Sequence, residues 1–118
     1  MIDHLALEVR DYLRSKDFYV VALAPLEIDL LAEFEDGAGF GRNGKAFFWV
    51  RPGEPAAGIH VAFAAPDTDT VDAFYAAAIG ARGEDNGPPG LRPNYHPGYY
   101  GAFVRDPDGN NVEAVHRG

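Results

Sequence analysis

Three side chains stand out for the chemistry their types could perform together: His4, His60 and Glu113. Two neutral imidazoles and a carboxylate form an ordinary donor set for a first-row divalent metal, and three protein ligands leave positions open for substrate and water. Each histidine opens a similar phrase, DHLALEVRDYLRSKDFY at residues 3–19 and GIHVAFAAPDTDTVDAFY at residues 58–75. Offset by 56 positions without a gap, His4 falls on His60, Ala6 on Ala62, Asp11 on Asp67, Phe18 on Phe74 and Tyr19 on Tyr75. If a pseudo-twofold axis relates the two copies, equivalent inner-face residues converge on it, and Glu113 joins them by the same symmetry. The repetition also suits a purely structural role, in which His4 and His60 hydrogen-bond across the interface between copies.

These residues need strands to carry them. In IDHLALEV, Leu5, Leu7 and Val9 alternate with His4, Ala6 and Glu8, and in GIHVAFAA, Ile59, Val61, Phe63 and Ala65 alternate with His60, Ala62 and Ala64. The apolar face is expected to pack under a helix and the histidine face to line a cavity, which Ala6 and Ala62 leave unfilled. Helices are predicted from Asp11 to Ala24, stopped by Pro25, and from Asp67 or Thr68 to Gly80. Short strands follow in EIDLLAEF, AGFGR and KAFFWV, then in YYGAFVRD and NNVEAVHR. NGK and DPDGN read as their hairpin turns. Aligning those turns on Gly44 and Gly109 sets Phe48 opposite Glu113, four residues past each glycine. Phe47 and Trp49 are then expected beneath the helix and Phe48 in an apolar pocket wall, with Trp49 as a stacking platform the other option.

The segment GEDNGPPGLRPNYHPG interrupts the repeat and reads as a long loop leading into the Glu113 hairpin. Tyr95, His96, Tyr99 and Tyr100 could overhang the cup from it. There His96 could move a proton and the tyrosines donate to an oxyanion; simple packing of the loop is the other outcome. Glu8, of the same parity as His4, is a candidate base or a solvated carboxylate.

The bulk numbers limit the partners. The 118-residue chain carries 10 basic and 18 acidic residues, a net charge of −8 that disfavours nucleic acid. It has no cysteine, no apolar run long enough to span a bilayer and no leader-like start, so a cytoplasmic location is expected.

Taken whole, residues 1–116 resemble a single-domain member of the vicinal oxygen chelate superfamily, which includes glyoxalase I, extradiol dioxygenases, fosfomycin-resistance transferases and bleomycin-resistance proteins. The resemblance rests on DHLALEV, FY on the first helix, GIHVAFAAPD and, most specifically, GYYGAFVRDPDGNNVEAV. It implies an α+β fold of two βαβββ modules, residues 1–55 and 56–118, in a curved open sheet around a central cup. It also implies a homodimer, in which the cup can be shared between chains. The family's metal positions fall on His4, His60 and Glu113, for Fe, Mn, Zn or Ni, and the fourth falls on Phe48, which cannot ligate. A four-ligand glyoxalase I site is therefore not expected. Two functions follow. One is a metal-dependent lyase, isomerase, dioxygenase or transferase that binds a small substrate through neighbouring oxygens. The alternative is a metal-free protein of the bleomycin-resistance type that sequesters a ligand between the modules.

Overall fold

The computed structural model describes residues 1–118 and arranges them as two similar units. The first runs β1 (Leu5–Val9), α1 (Tyr12–Ala22), a 3-10 turn at Ala24–Leu26, β2 (Asp29–Phe34), β3 (Gly37–Arg42) and β4 (Lys45–Pro52). The second runs β5 (His60–Ala64), α2 (Thr68–Gly80), the two-residue strands β6 (Glu84–Asp85) and β7 (Gly90–Leu91), then β8 (Tyr100–Arg105) and β9 (Asn111–His116). One sheet has the order β1-β4-β3-β2 and the other β5-β9-β8-β6, with β7 against β8. In each, the first strand lies parallel to the last, and the remaining neighbours are antiparallel. This is the expected α+β architecture of two curved modules.

Two of the repeated pairs do the same work in both units. Asp11 caps α1 by accepting from the Arg14 N–H at 3.2 Å, and Asp67 caps α2 through the Thr70 N–H at 2.8 Å. Such a cap satisfies a backbone donor that the helix itself leaves unpaired. Phe18 and Phe74 face inward from their helices and are buried. The single core combines both helices with the inner faces of both sheets. Phe48 meets Phe63 edge-on at 5.3 Å, so the two modules share aromatic packing at their seam.

The structure corrects the expected facing of β4. Phe48 and Val50 point into the core, where Phe48 stacks edge-on against Tyr19 at 4.9 Å, while Phe47 and Trp49 are half-buried. A bulge is responsible: pairing runs Gly41↔Ala46 and then Phe40↔Phe48, leaving Phe47 as an extra residue. Counting forward from the two turn glycines misses this insertion, and an inserted residue exchanges the faces of everything beyond it. By strand pairing Ala6 lies beside Trp49, as Ala62 lies beside Glu113. Trp49, not Phe48, is thus the module-one counterpart of Glu113.

Candidate functional site

The alternation of β5 puts His60, Ala62 and Ala64 on the exposed face, with Val61 and Phe63 turned inward. On β9, Val112 and Ala114 enter the core, so Glu113 projects from the opposite, concave face. Its side chain is only 1% exposed, whereas that of His60 is 52% exposed, and His60 Nε2 lies 2.8 Å from Glu113 Oε1. The other oxygen, Oε2, accepts the hydroxyl of Tyr99. Burial, and then the Glu113 carboxylate, push the Tyr99 hydroxyl up to about 12. It therefore stays protonated and donating at neutral pH.

His4 does not join this pair within one chain. Its Nδ1 contacts Asp3 Oδ1 at 2.9 Å, and Asp3 in turn accepts from Lys45 Nζ at 2.6 Å. The Lys45 bond, then the His4 contact, hold the Asp3 carboxyl below its ordinary range. The separation follows from how the first strands meet. Residues Ile2–Leu5 share one cavity with Val61–Ala64, while Ala6–Glu8 share another with Ile59 and Asn110. The strands therefore run in opposite directions, and His4 lies toward the Ala64 end. At about 3.3 Å per residue, the four steps from Ala64 back to His60 span roughly 13 Å. Nowhere in the chain do three His, Asp or Glu side chains gather in an arrangement that could hold a metal.

The remaining candidates divide by strand parity. Tyr95 and His96 pack edge-on against the Tyr99 ring at 5.0 and 5.3 Å, beside the pair. Tyr100 turns the other way: its hydroxyl donates to Asp72 on α2 at 2.6 Å, a bond that raises it above the ordinary tyrosine range. Glu8 opens onto the depression shared with Arg51 and Ile59, at the other end of β1 from His4. Phe103, paired with Glu113 across β8 and β9, presents its ring 6.3 Å from that of His60 and carries the Arg92 guanidinium at 5.3 Å.

Two cavities flank His4, and neither is lined by His60 or Glu113. One, of ≈ 520 Å³, lies between the modules and is mainly apolar, with Phe47, Phe48, Val61 and Phe63 in its walls and His4, Arg42 and Lys45 among its polar members. Phe48 thus reaches this wall with one edge although most of it is core. The other, of ≈ 400 Å³, lies on the concave face of module one and is lined by His4, Ala6, Ala46, Trp49 and Arg51.

The DPDGN turn has a structural role that the sequence reading missed. Asp106 accepts from the Asp108 and Asn110 backbone N–H groups, from Asn110 Nδ2 and from the hydroxyl of Tyr19. Asp108 accepts from the Arg10 N–H at 3.2 Å. The motif locks the hairpin bearing Glu113 onto the first module. Its signal was the buried, repeated Tyr19, an amphipathic residue that needs a partner for its hydroxyl.

A divalent cation suits the chemistry of the His60–Glu113 pair, an imidazole nitrogen beside a carboxylate oxygen, with the small Ala62 next to Glu113 on the paired strand. A single chain supplies two such donors.

Comparison with known proteins agrees with this architecture. No protein of curated function matches the sequence. Among solved structures, the chain is similar to a glyoxalase/bleomycin resistance protein from Albidiferax ferrireducens T118, at 31% identity and a TM-score of 0.84 over 98% of both chains. It shares its fold with lactoylglutathione lyase from Agrobacterium tumefaciens, at 20% identity and a TM-score of 0.71 over 98% of this chain and 92% of the other. The same holds for TioX from Micromonospora sp. ML1, at 20% identity and a TM-score of 0.70 over 96% and 93%. The family model described as Glyoxalase/Bleomycin resistance protein/Dioxygenase superfamily matches residues 1–114, and the chain belongs to that superfamily.

Proposed function

We propose that the protein is a metal-dependent enzyme acting on a small molecule that offers two neighbouring oxygens. The observation that carries this reading is a carboxylate, 1% exposed, facing a half-exposed histidine at 2.8 Å on the concave face. Burying a carboxylate is costly unless it is paired, and a core residue would serve stability better at that position. His60 and Glu113 would hold the divalent cation, Fe, Mn, Zn or Ni, with His4 of a second copy as the third donor in a homodimer. When bound, such a metal polarises the oxygens of a substrate and stabilises negative charge that develops there.

The chain's own groups divide the remaining work. Tyr99 holds the second oxygen of Glu113. His96, packed on the Tyr99 ring, is the proton-transfer candidate beside the pair. Tyr100 is committed to Asp72, and Glu8 serves the neighbouring depression. The Phe103 ring lies beside that of His60, and the Tyr95 ring packs on Tyr99. A cytoplasmic location accords with the lack of cysteine, and no helix is long and apolar enough to cross a membrane.

The test is metal analysis of tag-free protein purified without chelator, together with His4→Ala, His60→Ala and Glu113→Ala. About one equivalent in the wild type, lost in each variant, is expected. Co-expressed His4→Ala and Glu113→Ala should regain part of the metal, because a mixed dimer contains one intact set of donors. No metal in the wild type, even after Co(II) and Ni(II) titration, would sink this reading. It would favour a metal-free ligand-binding protein, which the apolar cavity between the modules could serve.

A further inference from the structure

Both oxygens of Glu113 are occupied by its own chain, but by partners of different character. His60, on Oε1, has a half-exposed side chain and can reorient toward an incoming group. Tyr99, on Oε2, cannot do so readily. It is 8% exposed, and its ring is held edge-on by Tyr95 and His96, with the Arg117 guanidinium 5.4 Å from its centre. Its backbone is fixed as well: the carbonyl accepts from the Arg92 N–H at 2.7 Å, and the N–H donates to the His96 carbonyl at 3.2 Å. The strand beneath is bare where the two side chains meet. A Cβ at Gly101 would stand 3.2 Å from Tyr99 Cε1 and 3.3 Å from Glu113 Oε2. The 92–99 segment therefore acts as a bracket that delivers one hydroxyl to one carboxylate oxygen.

We infer that Tyr99 is a positioning residue, which fixes Oε2 of Glu113 and so aims Oε1 at the point faced by His60. Tyr99 acts through Glu113. A freely rotating carboxylate would have to be ordered at each binding event, whereas this one is ordered in advance. Its expected effect on metal affinity rests on the metal reading above; the positioning itself does not. Removing the outer partner of a metal ligand typically weakens metal binding by about 10–100-fold.

The experiment compares the full chain with Tyr99→Phe, and with Tyr12→Phe as a remote loss of a hydroxyl. Near-ultraviolet circular dichroism verifies folding. In metal-free protein labelled with 13C-carboxyl glutamate, the Glu113 resonance is assigned by its absence in Glu113→Gln. It should shift in Tyr99→Phe and stay in place in Tyr12→Phe. Co(II) titration, followed by competition and visible absorption, should show about 10–100-fold weaker binding for Tyr99→Phe alone. An unmoved carboxyl resonance overturns the inference, and so does Co(II) binding as tight as or tighter than that of the wild type. If the wild type binds no Co(II), the metal reading fails and the resonance alone decides the role of Tyr99. Should Tyr99→Phe fail to fold, Gly101→Ala takes its place. It keeps the hydroxyl but crowds the contact, and the same two signals should change in the same direction by a smaller amount.

Discussion

The Tyr19 hydroxyl meets Asp106 Oδ2 at 2.5 Å, tying the first helix of one module to the last hairpin turn of the other. Tyr19 is fully buried and Asp106 is 5% exposed, so water cannot replace the bond. Tyr19→Phe keeps the ring packing and removes one of the carboxylate's donors. It should cost about 1–3 kcal/mol, the penalty for a weakened buried polar group. A drop in the urea midpoint with an unchanged m-value would support this account, and an unshifted midpoint would refute it.

The same bond predicts an alkaline limb of stability. Burial first, and then the Asp106 charge, hold the Tyr19 hydroxyl well above the ordinary tyrosine range. In the unfolded chain this group ionises near pH ~10, so above that pH only the unfolded state releases its proton. The contribution is complete below about pH 10 and falls as pH rises further. Urea midpoints measured at about pH 9 and about pH 11 should separate more for the wild type than for Tyr19→Phe, which lacks the ionising group.

The bulge at Phe47 can be tested by two neighbouring substitutions. Phe48→Ala empties a core position and should cost about 3–5 kcal/mol. Trp49→Ala removes a larger but half-buried ring from the concave face and should cost clearly less. Similar losses for the two variants, measured by denaturant unfolding, would contradict the register described above.

His60 and Glu113 should tie stability to metal binding. His60→Ala strips the buried Glu113 carboxylate of one of its two partners and should cost about 1–3 kcal/mol, although the His60 side chain is half-exposed. Glu113→Ala leaves the buried Tyr99 hydroxyl without its partner and should cost a similar amount. Both should abolish metal uptake; thermal melts that found His60→Ala as stable as the wild type would contradict the pairing described above.

Much of this fold could be read from local pattern. Strand alternation placed His4 and His60 on the exposed faces, and the repeat located Asp11 and Asp67, which prove to be the helix caps. Such features depend on periods of two and on hydrogen bonds a few residues long, which the sequence displays directly. The convergence of His4 with His60 depended instead on how two distant strands lie beside one another. Their opposed directions keep the histidines apart in one chain, and no local pattern encodes that. The matching of Phe48 to Glu113 failed for a smaller reason, one unpaired residue inside a strand. The sequence sets Tyr99 over the cup as an oxyanion donor but does not show its partnership with Glu113, which depends on the bare backbone at Gly101.

Trp49 is the only tryptophan in the chain, and its ring lies over Gly39, so close that a Cβ there would stand 2.7 Å from it. The molecule consequently carries one indole fluorophore, set on the concave face at the position where the other module has its carboxylate. Its emission reports on that face alone, free of background from any other indole. Whatever covers the face, a small ligand or a second copy of the chain, will change the wavelength or the quenching of that emission. Occupancy can therefore be followed on unlabelled protein before the occupant is known.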